Sequence, residues 1–162
     1  MKGEFFPEID LNSLTLPPAE LKIVRRNGVF KVFDRLRKNY YCLTEEEFIR
    51  QIFVRMLTDH LGYPPSLMAN EIGITLNDTK KRCDTVVFNP SGKPLMIVEY
   101  KSPKVKISQD VFDQIARYNM VLDARYLIVS NGKQHYCCEM HPESSSYTFL
   151  PEIPPFNSLI KD

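Results

Sequence analysis

Arg82-Cys-Asp-Thr-Val-Val-Phe88, the turn Asn89-Pro-Ser-Gly-Lys-Pro94, and Leu95-Met-Ile-Val-Glu-Tyr-Lys101 carry the strongest structural signal in the chain. Two runs rich in β-branched residues flank a segment made of turn formers, so a strand, a turn and a second strand are expected. The second run is apolar on both faces, which places it centrally in its sheet. Just upstream, Met68–Leu76 reads as another strand, with Asn77-Asp78 turning into the next.

Upstream of these strands, Thr44-Glu-Glu-Glu47 opens a helix. Thr44 is a good N-cap, and Glu47 three residues later completes a capping box. Phe48, Ile49, Ile52, Phe53, Met56, Leu57 and Leu61 recur at helical spacing until Gly62 and Pro64-Pro65 end the run. On that wheel Glu45 and Glu46 border the apolar stripe, and Glu47 is expected to point away from it. A second helix begins at Ser108, with Val111, Phe112, Ile115, Ala116, Tyr118, Asn119 and Leu122 spaced along it. Asn27-Gly28 and Asn131-Gly132 each separate two apolar runs and signal hairpins. Arg35–Tyr41 reads as a basic, aromatic bridge into the first helix. The order is therefore a hairpin, then helix, three strands, helix and two strands. A meander followed by a helical crossover gives an α/β sandwich: a mixed central sheet flanked by helices. Residues 1–20 are expected as an extended arm, 21–138 as the folded domain, and 139–162 as an extended tail rich in Pro and Ser.

Composition bounds the function. The 162 residues are 43% hydrophobic, enough for one domain with a sizeable core. No apolar run approaches the ~18 residues needed to span a bilayer, and the N-terminal stretch lacks a signal-peptide pattern, so a cytoplasmic protein with no membrane partner is expected. Cys42, Cys83, Cys137 and Cys138 form no disulfide framework, and His135, Cys137, Cys138 and His141 match no zinc spacing; buried strand thiols are expected. A helicase motor does not fit in this length. With 21 Lys+Arg against 20 Asp+Glu the formal charge is +1. That balance excludes indiscriminate coating of nucleic acid by bulk charge.

Against this background three charged residues stand out on apolar strands: Asp84, Glu99 and Lys101. Residues two apart on a strand share a face, so Glu99 and Lys101 lie side by side. If the two strands pair as a meander, Asp84 lies beside Glu99 across the ladder. Two carboxylates and an ammonium then converge at a sheet end, and a hard divalent cation is the natural partner for such carboxylates. Magnesium held this way, with manganese as a substitute, neutralises a transferring phosphoryl group and acidifies bound water. A neighbouring lysine adds charge stabilisation and orients the attacking water.

Four blocks then make a resemblance visible: Thr44-Glu-Glu-Glu-Phe-Ile-Arg-Gln51, Lys81-Arg-Cys-Asp-Thr-Val-Val-Phe88, Ile97-Val-Glu-Tyr-Lys-Ser-Pro103 and Phe112-Asp-Gln-Ile-Ala-Arg-Tyr-Asn119. In order and content, from Phe33 to Cys138, they resemble the N-terminal domain of type I restriction enzyme R subunits, of the PD-(D/E)xK nuclease superfamily. The resemblance implies a restriction-endonuclease-like αβββαβ core and magnesium-dependent cleavage of DNA. It implies Asp84 and Glu99 as metal ligands, Lys101 as the catalytic lysine and Glu46 as a further carboxylate of the metal or water shell. Gln114 and Tyr118 match a Gln-x-x-x-Tyr element that supports such sites, and positions i and i+4 share one helix face.

The chain departs from the family at Glu45, where Pro is usual, and at Tyr100, where a small residue is common. R subunits also continue into a helicase, so a separate motor or specificity subunit is an expected partner, and a homodimer is another. A non-catalytic binding module on the same fold is the competing reading. Around the site, Glu71 reads either as a further ligand or as a partner of Arg82. Lys104 and Lys106 read as phosphate contacts or as a solvated loop. Arg35, Arg37 and Lys38, with Tyr40 and Tyr41, read as a base-stacking strip or as a plain linker. With so little net charge, any DNA binding is expected to be weak and salt-sensitive.

Overall fold

The computed structural model describes residues 10–160. The chain begins, within that range, with a short 3-10 turn at Leu11–Ser13. Thr15 then ties the segment down, its N–H donating to the Gly132 carbonyl at 3.0 Å and its hydroxyl to the Lys133 carbonyl at 2.9 Å. The first nine residues of the expected arm lie outside the described range.

Strands β1 (Ile23–Arg26), β2 (Val29–Asp34) and β3 (Asn39–Cys42) form a small antiparallel sheet. Asn27 and Gly28 both have positive φ, +52° and +77°, as a two-residue type I′ turn demands. The expected bridge over Arg35–Tyr41 is instead a turn and a third strand. Asp34 causes this: its carboxylate accepts from the Leu36 N–H at 2.7 Å and the Arg37 N–H at 3.2 Å, folding the chain back.

Helix α1 (Glu45–Leu61) starts as the capping pattern requires, with the Thr44 hydroxyl accepting from the Glu47 N–H at 3.0 Å. It ends at Gly62, whose φ of +74° supplies the left-handed cap. Glu47 does not point away. It is only 6% exposed, because the small sheet covers the first turn of the helix and presents Arg37 to it.

The main sheet is mixed, in the order β4 (Met68–Leu76), β5 (Thr79–Phe88), β6 (Pro94–Tyr100), β7 (Tyr126–Ser130), β8 (His135–His141) and β9 (Ser146–Leu150). Among the described strands only β6 and β7 run parallel, because α2 (Gln109–Met120) carries the chain across between them. Helix α1 packs on one face with Met96, Val98 and Tyr100; α2 packs on the other with Ile97, Leu127 and Val129. Cys137 and Cys138 fall one into each core, as alternation on a strand predicts, and the cysteines are free thiols. Among the described residues no helix is long and apolar enough to cross a membrane.

The segment after Cys138 is not an extended tail. Strand β8 runs on to His141, and a turn with Ser145 at φ +51° returns the chain as β9 along its free edge. A short helix, α3 (Phe156–Leu159), then buries Phe156 and Leu159 in the α1-side core, and the Tyr63 hydroxyl donates to the Pro154 carbonyl at 2.8 Å. The proline- and serine-rich composition hides two elements whose contacts are long-range.

Candidate active site at the end of the central strands

Strands β5 and β6 pair through Thr85↔Val98 and Val86↔Ile97, a register that sets Asp84 across from Glu99. The backbone ladder stops there. The Tyr100 N–H, instead of meeting a strand carbonyl, donates to Asp84 Oδ2 at 2.9 Å. The side chains of Asp84 and Glu99 are within hydrogen-bonding reach of one another. Two carboxylates in contact cannot both carry charge without a cation or a proton between them. Burial, and then the charge of Asp84, hold the Glu99 carboxyl far above the usual carboxylate range; Lys101 and the Asn119 amide oppose that shift.

Lys101 follows on the strand's extension, its N–H donating to the Ser130 carbonyl at 2.8 Å. Its side chain shares a cleft of about 410 Å³ with Arg82, Glu99, Gln114, Ile115, Tyr118 and Asn119. The structure thus brings Gln114 and Tyr118 from α2 to the same cleft as Glu99 and Lys101. Gln114 is exposed, and Tyr118 is half-exposed with the Lys81 ammonium 3.0 Å from its ring centroid. Asn119 was not singled out by the sequence. It is fully buried, its Nδ2 donates to the Ile115 carbonyl at 2.9 Å, and its Oδ1 has no protein partner.

A second, wider cleft of about 850 Å³ opens on the α1 side and contains Glu46, Arg50, Glu71, Arg82 and Asp84. Arg82 and the carboxylate pair therefore lie where the two clefts meet. Partial burial, then the charge of Asp84, raise the Glu46 carboxyl, while Lys101 and Arg50 pull it down. Glu46 is thus in electrostatic range of both Asp84 and Lys101. Among the described residues no three His, Cys, Asp or Glu side chains are gathered into a ready metal cage. Asp84 and Glu99 form the contact pair, and Glu46 is the outer carboxylate. This all-oxygen, half-buried donor set, free of His and Cys, fits a hard divalent cation such as magnesium or manganese rather than zinc.

Behind Asp84 runs a ladder of alternating charges. Arg37 pairs with Asp34 at 2.5 Å and Glu47 at 2.6 Å; Arg50 pairs with Glu47 at 2.7 Å and with Glu71, and lies 3.8 Å from Asp84; Arg82 pairs with Glu71 at 3.0 Å. Of the two readings of Glu71, the partner of Arg82 is the one the structure displays. Arg37 also stacks 3.5 Å from the Tyr41 ring centroid, so its guanidinium is held by Tyr41, Asp34 and Glu47. Arg35 and Lys38 remain exposed. Lys104 reaches Glu45 at 3.0 Å, and Ser102 also bonds Glu45, tying the loop after Lys101 to the start of α1. Lys106 is exposed. Besides Asn119, the sequence reading also passed over Glu47 and Arg50. Their only signal was charge at positions i and i+3 on an otherwise apolar helix face.

No curated protein matches the chain. The family model described as type I restriction enzyme R protein N terminus matches residues 45–154. That span runs from the first turn of α1 past β9 and contains Glu46, Asp84, Glu99, Lys101, Gln114 and Tyr118. The chain belongs to the type I restriction enzyme R protein N-terminal family.

Proposed function

We propose that this chain is a magnesium-dependent nuclease of the PD-(D/E)xK type that hydrolyses phosphodiester bonds in DNA on a restriction-endonuclease-like core. The observation that carries the reading is the contact between Asp84 and Glu99 at the end of two apolar strands, with Lys101 in the same cleft as Glu99. Asp84 and Glu99, with Glu46 as the outer carboxylate, would hold a magnesium or manganese ion there, which would supply Lewis acidity toward the phosphoryl oxygens and acidify the attacking water.

The protein's own groups do the rest. Asp84 is oriented by the Tyr100 N–H, so its carboxylate is set before any ligand arrives. Lys101 places a positive charge beside Glu99, where negative charge grows on the phosphoryl group as the bond breaks. It also donates to, and thereby orients, the attacking water. Glu46 faces the same region from α1 and accepts a proton from that water. Gln114 donates to a phosphate or base edge, and the exposed ring of Tyr118 offers a stacking face. Arg82, exposed where the clefts meet, together with Lys106, Arg35 and Lys38, contacts phosphates on either side. The near-neutral total charge makes this binding weak, so a motor or specificity subunit, or a second copy of the chain, holds the DNA in place. The family description, an R protein of a type I restriction enzyme, supports DNA and a further subunit as partners.

The test is cleavage of supercoiled and linear DNA by purified protein in magnesium or manganese, beside Lys101→Ala and Asp84→Ala. Wild-type cleavage that falls by about 10²-fold or more in each variant supports the reading. Cleavage unchanged by either substitution overturns it. DNA binding without cleavage, alone and with a motor subunit, leaves the non-catalytic binding module in its place.

A further inference from the structure

We infer that Arg50 is a positioning residue that withholds Glu71 from the cation and so sets how many carboxylates the metal site presents. The inference rests on the proposed metal site and adds to it a determinant of ion affinity and selectivity. Strand register places Glu71 beside that site: Asn70 pairs with Thr85 and Ile72 with Cys83, so Glu71 lies across from Asp84. Its backbone is at φ +52° in the middle of β4, a conformation that a non-glycine residue keeps only when its surroundings impose it. The imposing contacts are two guanidiniums. Arg50 bonds Glu71 Oε1 and Arg82 bonds Oε2. Arg50 is 6% exposed, fixed at its other nitrogen by Glu47 at 2.7 Å, and stands 3.8 Å from Asp84. A buried, doubly anchored cation thus lies between a candidate ligand and a neighbouring carboxylate of the same charge. Arg82 is a weaker hold, since its side chain is 68% exposed and free to swing into solvent.

Removing Arg50 orphans none of these acids. Glu47 keeps Arg37 at 2.6 Å and Gln51 at 3.1 Å, Glu71 keeps Arg82, and Asp84 keeps the Tyr100 N–H. Arg50→Met therefore replaces a buried cation by an apolar chain of similar length, and Glu71 becomes available beside Asp84. An added carboxylate and a deleted positive charge both favour a divalent ion. Calcium, which takes more oxygen ligands than magnesium, gains the most.

The experiment is isothermal titration of the full chain with magnesium, manganese and calcium, in wild type, Glu71→Gln, Arg50→Met, the Arg50→Met/Glu71→Gln double variant and Asp84→Asn. Glu71→Gln alone is expected to leave affinity within about twofold, Arg50→Met to tighten it about tenfold with calcium favoured, and the double variant to return it to the wild-type level. A tenfold loss in Glu71→Gln, or equal or weaker binding in folded Arg50→Met, overturns the inference while leaving the metal site standing. Asp84→Asn binding as wild type does overturns the site itself, and the inference with it. If Arg50→Met does not fold, Arg50→Lys takes its place, because a single ammonium does not bridge the same three carboxylates; it is expected to tighten binding, and unchanged or weaker binding overturns the inference.

Discussion

The Asp84 carboxylate accepts the Tyr100 N–H at 2.9 Å, at the point where β5 and β6 stop pairing. One side chain thus has two tasks. It terminates a backbone ladder that would otherwise leave a donor unpaired at the edge of the core, and it presents its second oxygen to the cleft. The same contact explains why Asp84 and Glu99 meet although each lines a different cleft.

The two tasks are separable by substitution. Asp84→Ala leaves the Tyr100 N–H without its acceptor, which costs about 1–3 kcal/mol. Asp84→Asn keeps an oxygen in that position, so it is spared that loss while metal affinity falls. Urea denaturation of the two variants in EDTA separates the effects.

Glu99 gives a prediction with a definite sign. Burial and Asp84 raise its carboxyl in the folded state above the ordinary value of 4.5. Between those two values the native protein binds more protons than the unfolded chain, so stability falls as pH rises from the ordinary value and levels off only once the native carboxyl ionises. Metal-free wild type therefore loses stability across the neutral range. Glu99→Gln, which cannot ionise, is more stable than wild type at pH 8 by on the order of 1 kcal/mol or more, and the difference shrinks toward pH 4. Melting temperatures of both proteins against pH, in EDTA, test this. A difference that grows toward acid pH contradicts it.

Tyr100 links the site to the small sheet. Its hydroxyl lies 2.8 Å from that of Thr85, which donates to Asn70 Oδ1 at 2.7 Å; Asn70 Nδ2 in turn donates to Asp34 at 2.8 Å. Tyr100→Phe removes the end of this buried relay and is expected to destabilise by about 1–2 kcal/mol. Chemical denaturation reads the loss, and an unchanged midpoint would show that the relay contributes nothing.

The C-terminal segment is part of the core. Phe156 is 6% exposed and its ring centroid is 5.5 Å from that of Tyr63. Phe156→Ala is expected to cost about 3–5 kcal/mol in equilibrium unfolding, the range for emptying a buried aromatic site. A loosely attached tail would show almost no change.

These same elements mark what a sequence can and cannot convey. The Thr44 cap, the Asn27-Gly28 turn and the apolar β6 strand were legible because their causes are local: one hydroxyl, two positive φ values, one unbroken run. Strand periodicity and the meander placed Asp84, Glu99 and Lys101 near one another for the same reason. The burial of Glu47 was not legible, because a helical wheel counts only apolar side chains and the covering element comes from β2 and β3. Nor were β9 and α3, whose prolines and serines read as a tail until β8 offers an open edge and Tyr63 a ring to pack on. The separation of Asp84 and Glu99 into two clefts arises where the ladder ends, and alternation along a strand has nothing to say past that point.

If Asp84 and Glu99 together form a hard-cation site at the end of the main sheet, anomalous diffraction from crystals soaked in manganese will show a manganese peak beside the two carboxylates, and that peak will be lost in Asp84→Asn. Manganese bound elsewhere, or no peak between Asp84 and Glu99 at millimolar concentrations, would contradict it.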